Sequence, residues 1–488
     1  MFRKGISVTE RTLVAPVSAA APPRVRAGLA LTPILTCQLM LILDVTVMNV
    51  ALPHIQHDLH FSPTGLSWVM SAYTLIFGCL LLLGGRAGDL LGRRRMFIIG
   101  VTVFTIASLA GGLAQSAAAL VIARIVQGLG AAAAGPNTLA LINSTITETK
   151  ARVRALSLFS AMSSGGFAVG LVLGGLLTEW GSWRLVMFIN VPFGIAVIIL
   201  ALRVIAEPPR HSAKLDLPGA ITSTLGVAGL VYAFIRAATV GWSDPFVLVT
   251  LLGGAVLIGV FLLVERRTAE PLLRLSLLNQ GNRARAYINF FLGPMAMMSM
   301  FFFLTQFIQD VLGLRPLATG FAFLPMAAMM FGISRMVPRL LPRFGPKALT
   351  VTGSALMIIG LVWLTRLGVS SGYFGALFGP LVIMGIGGGL AFAPLNVIIM
   401  STVPARDAGA AGGALQTMQQ IGGSLGLAVL VTVFGRVSAT AAAHHESAAQ
   451  VLVSGMTSAF LVSAGVAVAS FIVALTFRRE PADGVKRA

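Results

Sequence analysis

Charge is scarce in this chain. Charged residues make up 10% of its 488 positions, and only 16 of them are acidic. A soluble protein carries about 25% charge to keep its surface in water, so a water-facing globular fold is excluded. Cysteine occurs twice, at Cys37 and Cys79, both inside apolar runs. That excludes a disulfide framework and a thiolate metal site. Long polar stretches are also missing, leaving no room for an ATP-binding fold or a soluble catalytic domain. The glycines at Gly385, Gly387 and Gly389, and at Gly422 and Gly426, fall in apolar runs, where they pack helices rather than cradle phosphate.

Apolar residues fill 56% of the chain, and mean hydropathy is +0.90. These values indicate an all-α polytopic membrane protein. The net charge of +19 does not imply a nucleic-acid partner, because the basic residues lie in short loops between apolar runs. That is the pattern of membrane topology.

A membrane-crossing helix needs about 20 apolar residues. The runs predict helices at 29–53, 65–85, 96–115, 118–141, 155–177 and 185–205, then at 217–236, 246–264, 286–310, 318–337, 348–365, 374–397, 413–435 and 451–477. With fourteen helices and the N-terminus inside, 29 of the 35 Lys and Arg face the cytoplasm. Five lie on the other side (Arg184, Arg236, Arg315, Arg366 and Arg436), and Arg124 lies within a span. One helix more or fewer would invert the loops beyond it and spoil this asymmetry. Both termini are therefore expected in the cytoplasm.

The basic turn Gly85–Arg95 has a weak echo at Pro338–Lys347, each after the second helix of a six-helix unit. The expected organisation is a basic tail (1–28), a six-helix bundle (29–205), an inserted helix pair with its flanking loops (206–285), a second bundle (286–477) and a tail (478–488). Duplicated halves of parallel topology suit a transporter with its site between them, near the midplane.

Four stretches carry chemistry. Asp44 lies in Leu43-Asp44-Val-Thr-Val-Met-Asn49-Val-Ala-Leu-Pro53, deep in the first span, where a charge costs roughly 2.5–3.5 kcal/mol on insertion scales. It is a candidate proton carrier, or a counter-charge for a cationic substrate; a permanently hydrogen-bonded structural Asp is the plainer alternative. In Gly85–Phe97, Gly85, Gly88 and Gly92 allow a tight turn and close helix approach, Asp89 can cap a helix or meet an Arg, and Arg93, Arg94 and Arg95 set orientation. Arg124, Gln127 and Gly128 share one face of the fourth span at i, i+3 and i+4. Gly166, Gly170 and Gly174 repeat every four residues in the fifth, with Gly175 adjoining, as a stripe for close packing.

In this order and on these helices, the four stretches resemble the fourteen-helix drug:proton antiporter branch of the major facilitator superfamily. Trp183-Arg184 and Asn190-Val-Pro192-Phe-Gly194 also match it. The resemblance covers about 29–477 and implies a 6 + 2 + 6 major facilitator fold. It implies proton coupling through Asp44 and Arg124, and a conformational latch at Gly85, Gly88, Asp89, Gly92, Arg93 and Arg94 that holds the outward-facing state. It also implies an antiporter motif at Gly166, Gly170, Gly174 and Gly175. Where relatives carry a bending proline after the second glycine of that motif, this chain has Leu171. Whether Asp44 and Arg124 touch is open at this level.

The stretch 290–331 is rich in Met and Phe, side chains that suit an adaptable hydrophobic pocket and equally suit lipid contact or ordinary core. Residues expected at a substrate cavity are Asn49, Gln127, Met298, Phe302 and Gln306. His54, His57 and His60 read as loop histidines rather than a metal site. The expected activity is proton-driven export of hydrophobic small molecules, cations among them, with no cofactor beyond the proton gradient, from a bacterial inner membrane. Function as a monomer is expected; a periplasmic adaptor is a partner in some relatives, and nothing here demands one. An uptake permease of the same fold is the nearest alternative, and a membrane-embedded sensor or enzyme is further off.

Overall fold

Inside a bilayer every backbone N–H and C=O needs a partner within the protein, which favours helices. The computed structural model describes residues 27–146, 148–208, 216–268, 271–272, 281–401, 403 and 408–478, and among them the regular elements are all helical. The expected tails at 1–28 and 478–488 fall almost wholly outside them.

The N-terminal half comprises α1 (Ala27–Leu59), α2 (Ser67–Leu91), α3 (Arg93–Gly112), α4 (Ala117–Thr145), α5 (Thr149–Trp180), the short α6 (Trp183–Phe188) and α7 (Asn190–Val204). A hairpin of α8 (Leu217–Val240) and α9 (Pro245–Arg267) follows. The C-terminal half comprises α10 (Gly281–Gln306), α11 (Pro316–Leu364), α12 (Phe378–Ser401), α13 (Ala408–Ala443) and α14 (Ala448–Leu475). Single π-helical turns precede α11 and α12, at Phe307–Val311 and Tyr373–Leu377.

Twelve helices among the described residues are long and apolar enough to cross a membrane, fewer than the fourteen spans expected. The 49-residue α11 covers both 318–337 and 348–365, joined through Gly345 at φ 72°, and α5, a single 32-residue helix over Thr149–Trp180, is not among the twelve.

Several expected boundaries shift. Helix α1 runs on through Pro53 to Leu59, beyond the expected end, and His60 at φ 55° terminates it. Helix α2 continues past Gly85 and Gly88, so of the three turn glycines only Gly92, at φ 110°, makes the turn. Gly88 lets α4 approach: a Cβ there would collide with the Asn137 side chain. Gly85 would meet only Pro136 at an ordinary 3.5 Å, so the turn does not require a glycine there.

The halves each have an apolar interior and meet along α1, α2 and α5 on one side and α10, α11 and α13 on the other. The α8–α9 hairpin packs α8 against α2 and α13; Thr432 donates to the Phe234 carbonyl and Gly435 lies against Ala238. At the hairpin tip Asp244 accepts from the Phe246 and Val247 amides, capping α9. A hydrogen bond from Arg236 holds its carboxyl below the usual carboxylate range.

Candidate functional site

Asp44 is buried within the N-terminal half. Its Oδ2 accepts from Arg124 Nη1 at 2.6 Å, and its Oδ1 accepts from Gln127 Nε2 at 3.1 Å and Asn190 Nδ2 at 3.0 Å. Arg124 also donates from Nε to the Val69 carbonyl at 2.9 Å and from Nη1 to Gln127 Oε1 at 2.9 Å. Its guanidinium lies 4.4 Å over the Tyr73 ring. Gln127 reaches onward to Ser108 Oγ at 2.7 Å. Five helices therefore feed one polar cluster: α1, α2, α3, α4 and α7.

The sequence explains the convergence. Arg124 and Gln127 are one turn apart on α4, and Gly130 lets α3 close on α4: a Cβ there would sit 2.5 Å from the Phe104 nitrogen. Arg124 and Asp44 are both inaccessible to solvent. Desolvating two ions costs several kcal/mol each, and their attraction with added hydrogen bonds offsets this; removing one partner costs about 3–5 kcal/mol.

A second space lies between the halves. A cavity of about 490 Å³ is bounded by α1 (Thr46, Asn49), α5 (Phe167), α10 (Met298), α12 (Asn396) and α13 (Gln419), among others. Val45, Thr46 and Asn49 face it from α1, while Asp44 and Arg124 do not. Asp44 and the cavity thus lie on different faces of α1.

Of the residues expected at the cavity, Asn49 and Met298 line it. Gln127 belongs instead to the Asp44 cluster. Phe302 and Gln306 lie one turn apart on the face of α10 that enters the C-terminal half, where Phe302 packs in the core and Gln306 donates to the Phe302 carbonyl at 3.1 Å. Asn49 also donates to Thr305 Oγ1 at 2.9 Å, tying α1 to α10.

That tie belongs to a seal at the end of the bundle where α1 meets α2 through its loop. Gln309 donates to the Val50 carbonyl at 2.8 Å, and Glu179 accepts from the Leu317 amide at 3.1 Å. The glycine stripe divides between two partners. Gly166, Gly170 and Gly174 lie on α1, against Leu39, Thr46 and Val47, whereas Gly175 lies on α11, where a Cβ would come within 2.5 Å of Leu317 Cα. Gly320 returns the contact onto the Leu171 carbonyl. The cavity sits toward the opposite, Arg-rich end.

At that Arg-rich end the expected latch residues bond within the N-terminal half. Arg93 donates to Asp89 at 2.9 Å, and Arg94 donates to the Leu202 carbonyl at 2.7 Å. Glu207 accepts from the Arg94 and Arg95 amides, both at 3.1 Å, at the N-terminus of α3. Sequence reading missed Glu207; an acid just past the α7 end, opposite a helix start, was the available signal. A carboxylate there is worth about 0.5–2 kcal/mol, so Glu207→Gln should lower the melting temperature in detergent measurably, while Glu207→Asp should recover part of it.

Near the sealed end, Asp58 accepts from Trp183 Nε1 at 2.8 Å and Arg184 Nη1 at 2.6 Å. This joins the end of α1 to α6. His54, His57 and His60 are exposed beside it, and among the described residues no three His, Cys, Asp or Glu side chains are placed to hold a metal ion.

Known proteins resemble this chain over nearly all its length. The sequence profile of the Major Facilitator Superfamily matches residues 34–427. The puromycin resistance protein pur8 of Streptomyces alboniger is 39% identical over 460 residues, spanning 93% of this chain and 91% of that protein. The cephamycin export protein CmcT of Amycolatopsis lactamdurans is 40% identical over 405 residues, spanning 82% and 83%. In fold, a bacterial homologue of the human lysosomal transporter Spinster, solved inward-facing and unoccupied, superposes with a TM-score of 0.65 at 16% identity, over 95% of this chain and all of that one.

Proposed function

The chain belongs to the Major Facilitator Superfamily, a multi-pass membrane transporter rather than an enzyme, and from that premise we propose that it exports hydrophobic antibiotic-like molecules in exchange for protons. The observation that carries the proton half is the buried Asp44–Arg124 pair: an ionisable carboxylate with no water contact and one discrete ionic partner is a two-state element. Export is supported by the relatives named for resistance and export.

The organisation that goes with this reading is fourteen helices as 6 + 2 + 6, α11 supplying two of them, with both termini in the cytoplasm of a bacterial inner membrane. The Arg-rich turn then faces the cytoplasm. In that orientation the sealed end is outside, the cavity opens inward, and the conformation is inward-facing. Asp89, Arg93 and Arg94 act as the latch only when the cytoplasmic ends close, which agrees with their bonding inside one half here.

In the cycle, substrate enters the cavity from the cytoplasm while Asp44 is ionised and holds Arg124. After the outer seal opens, substrate leaves and Asp44 accepts a proton, which cancels its charge and loosens Arg124. Return to the inward-facing state and loss of the proton re-form the pair. The chain requires no cofactor beyond the proton gradient and works as a monomer, and nothing in it demands a periplasmic adaptor.

The test is accumulation of a drug and dye panel in an efflux-deficient bacterial host. Expression should lower accumulation of several lipophilic compounds, and a protonophore should restore it to the level of cells without the protein. Unchanged accumulation across the panel, or protection that survives the protonophore, contradicts the proposal.

A further inference from the structure

Among the described residues, the lining of the central cavity contains no acidic or basic side chain. Its polar groups are amides and hydroxyls, concentrated on the C-terminal side. Gln416, Gln419 and Gln420 follow one another at i, i+3 and i+4 and so share one face of α13, and Asn396 of α12 and Ser334 of α11 flank them. None of the five side chains makes a hydrogen bond to another described residue, so their side-chain donors and acceptors are available to a ligand. Most of the remaining lining is apolar, with Phe167 of α5 and Met298 and Phe301 of α10; the polar Thr46 and Asn49 of α1 already donate to the Leu43 carbonyl and to Thr305 Oγ1.

This division has a chemical consequence. An organic cation entering the cavity would lose water without gaining a counter-charge, because Asp44, the nearest deep acid in sequence, is turned into the N-terminal half and fully engaged by Arg124, Gln127 and Asn190. Burying an unpaired charge is strongly unfavourable. An uncharged molecule with carbonyl, amide or hydroxyl groups along one edge and an apolar body meets both walls. Each glutamine amide offers two donors and an acceptor, so a row of three reads hydrogen-bonding groups without fixing one scaffold.

We infer that the substrates bound in this cavity are uncharged lipophiles rich in hydrogen-bonding groups, read by the Gln416–Gln419–Gln420 row with Asn396, and that organic cations are disfavoured. This deepens the proposed export function and rests on it only in taking the cavity as the transport site.

The test is equilibrium dialysis of the full-length protein in lipid nanodiscs, with bound ligand quantified by mass spectrometry and no pH gradient present. The uncharged probes are chloramphenicol and cycloheximide; the permanent cations are tetraphenylphosphonium and ethidium. Wild-type protein should bind at least one uncharged probe roughly 10-fold or more tighter than either cation. Gln419→Leu should weaken that binding about 10-fold, the upper end for one neutral hydrogen bond, and Gln419→Glu should raise affinity for tetraphenylphosphonium. Tighter cation binding by the wild type, no binding of either uncharged probe, or unaltered affinities in both variants of folded protein would overturn the inference. Failure of proton-driven export in cells would leave these affinities unmoved, so the two readings fail separately.

Discussion

Asp44→Asn should reduce gradient-driven efflux to the level of cells lacking the protein, while the protein still inserts in the membrane. The substitution keeps the side-chain shape and an oxygen for Arg124 but removes the group that gains and loses a proton. Without it the two-state element has one state, and a pH gradient has nothing to act on. A structural consequence comes with it. Arg124 stays buried with no anion beside it, and removing one partner of a buried pair costs about 3–5 kcal/mol. Melting of the purified variant should fall accordingly. The double variant Asp44→Asn/Arg124→Gln leaves no charge in the cluster, so it should recover much of the lost stability while transport stays absent. That split between stability and transport separates proton coupling from a merely structural aspartate. Equal recovery of both would assign the pair to folding alone.

A second large effect is expected at the seal between the halves, where the glycine stripe serves two partners. Gly175→Leu places a side chain where Leu317 of α11 already lies, and Gly320→Leu does the same against the Leu171 carbonyl. Both contacts join the two halves, so the added bulk clashes only while the seal is shut. Overpacking typically costs about 1–3 kcal/mol; directed at one conformation, it shifts the equilibrium roughly 10-fold or more toward the seal-open form. Transport should fall while the melting temperature changes little. Gly174→Leu should behave differently, since its neighbour is the Val47 backbone of α1, inside the same half, and the clash persists in every conformation. It should impair folding. Labelling reports the difference: both native cysteines are buried, so background is low. A cysteine replacing Gln309 should react with an impermeant maleimide about 10-fold faster in the Gly175→Leu background than in the wild-type one. Equal labelling rates would remove the seal from the gating cycle.

Much of this was legible in the residues. The apolar runs located the helices because a bilayer admits few other structures. Asp44 and Arg124 stood out because each is expensive at its depth, and expense at depth is readable without coordinates. What could not be read was direction around a helix axis. Phe302 and Gln306 sit in the same Met- and Phe-rich stretch as Met298, yet only Met298 of the three lines the cavity. The amphipathic signal that orients a soluble helix is absent here, because lipid and core are both apolar. Helix ends were misjudged for a related reason: Pro53 and Gly85 signal breaks in water, while packed neighbours carry α1 and α2 through them. Asn190 stood out only as part of a family-like stretch and Ser108 not at all, since a neutral polar residue in a span is common and their partners lie on other helices. The Gln416–Gln419–Gln420 row was visible as a one-face pattern in a helix built, apart from Arg436, of small and apolar residues, and went unused.

Exchange of substrate for protons across a membrane is measured most directly with purified protein in liposomes carrying a pH-sensitive dye inside. A compound taken from the cellular panel is applied to one side, and internal pH is followed as it crosses. Opposed movement of compound and protons in the wild-type protein, with no proton movement in Asp44→Asn, is the predicted result. Transport by Asp44→Asn that still moves protons against the compound would contradict it.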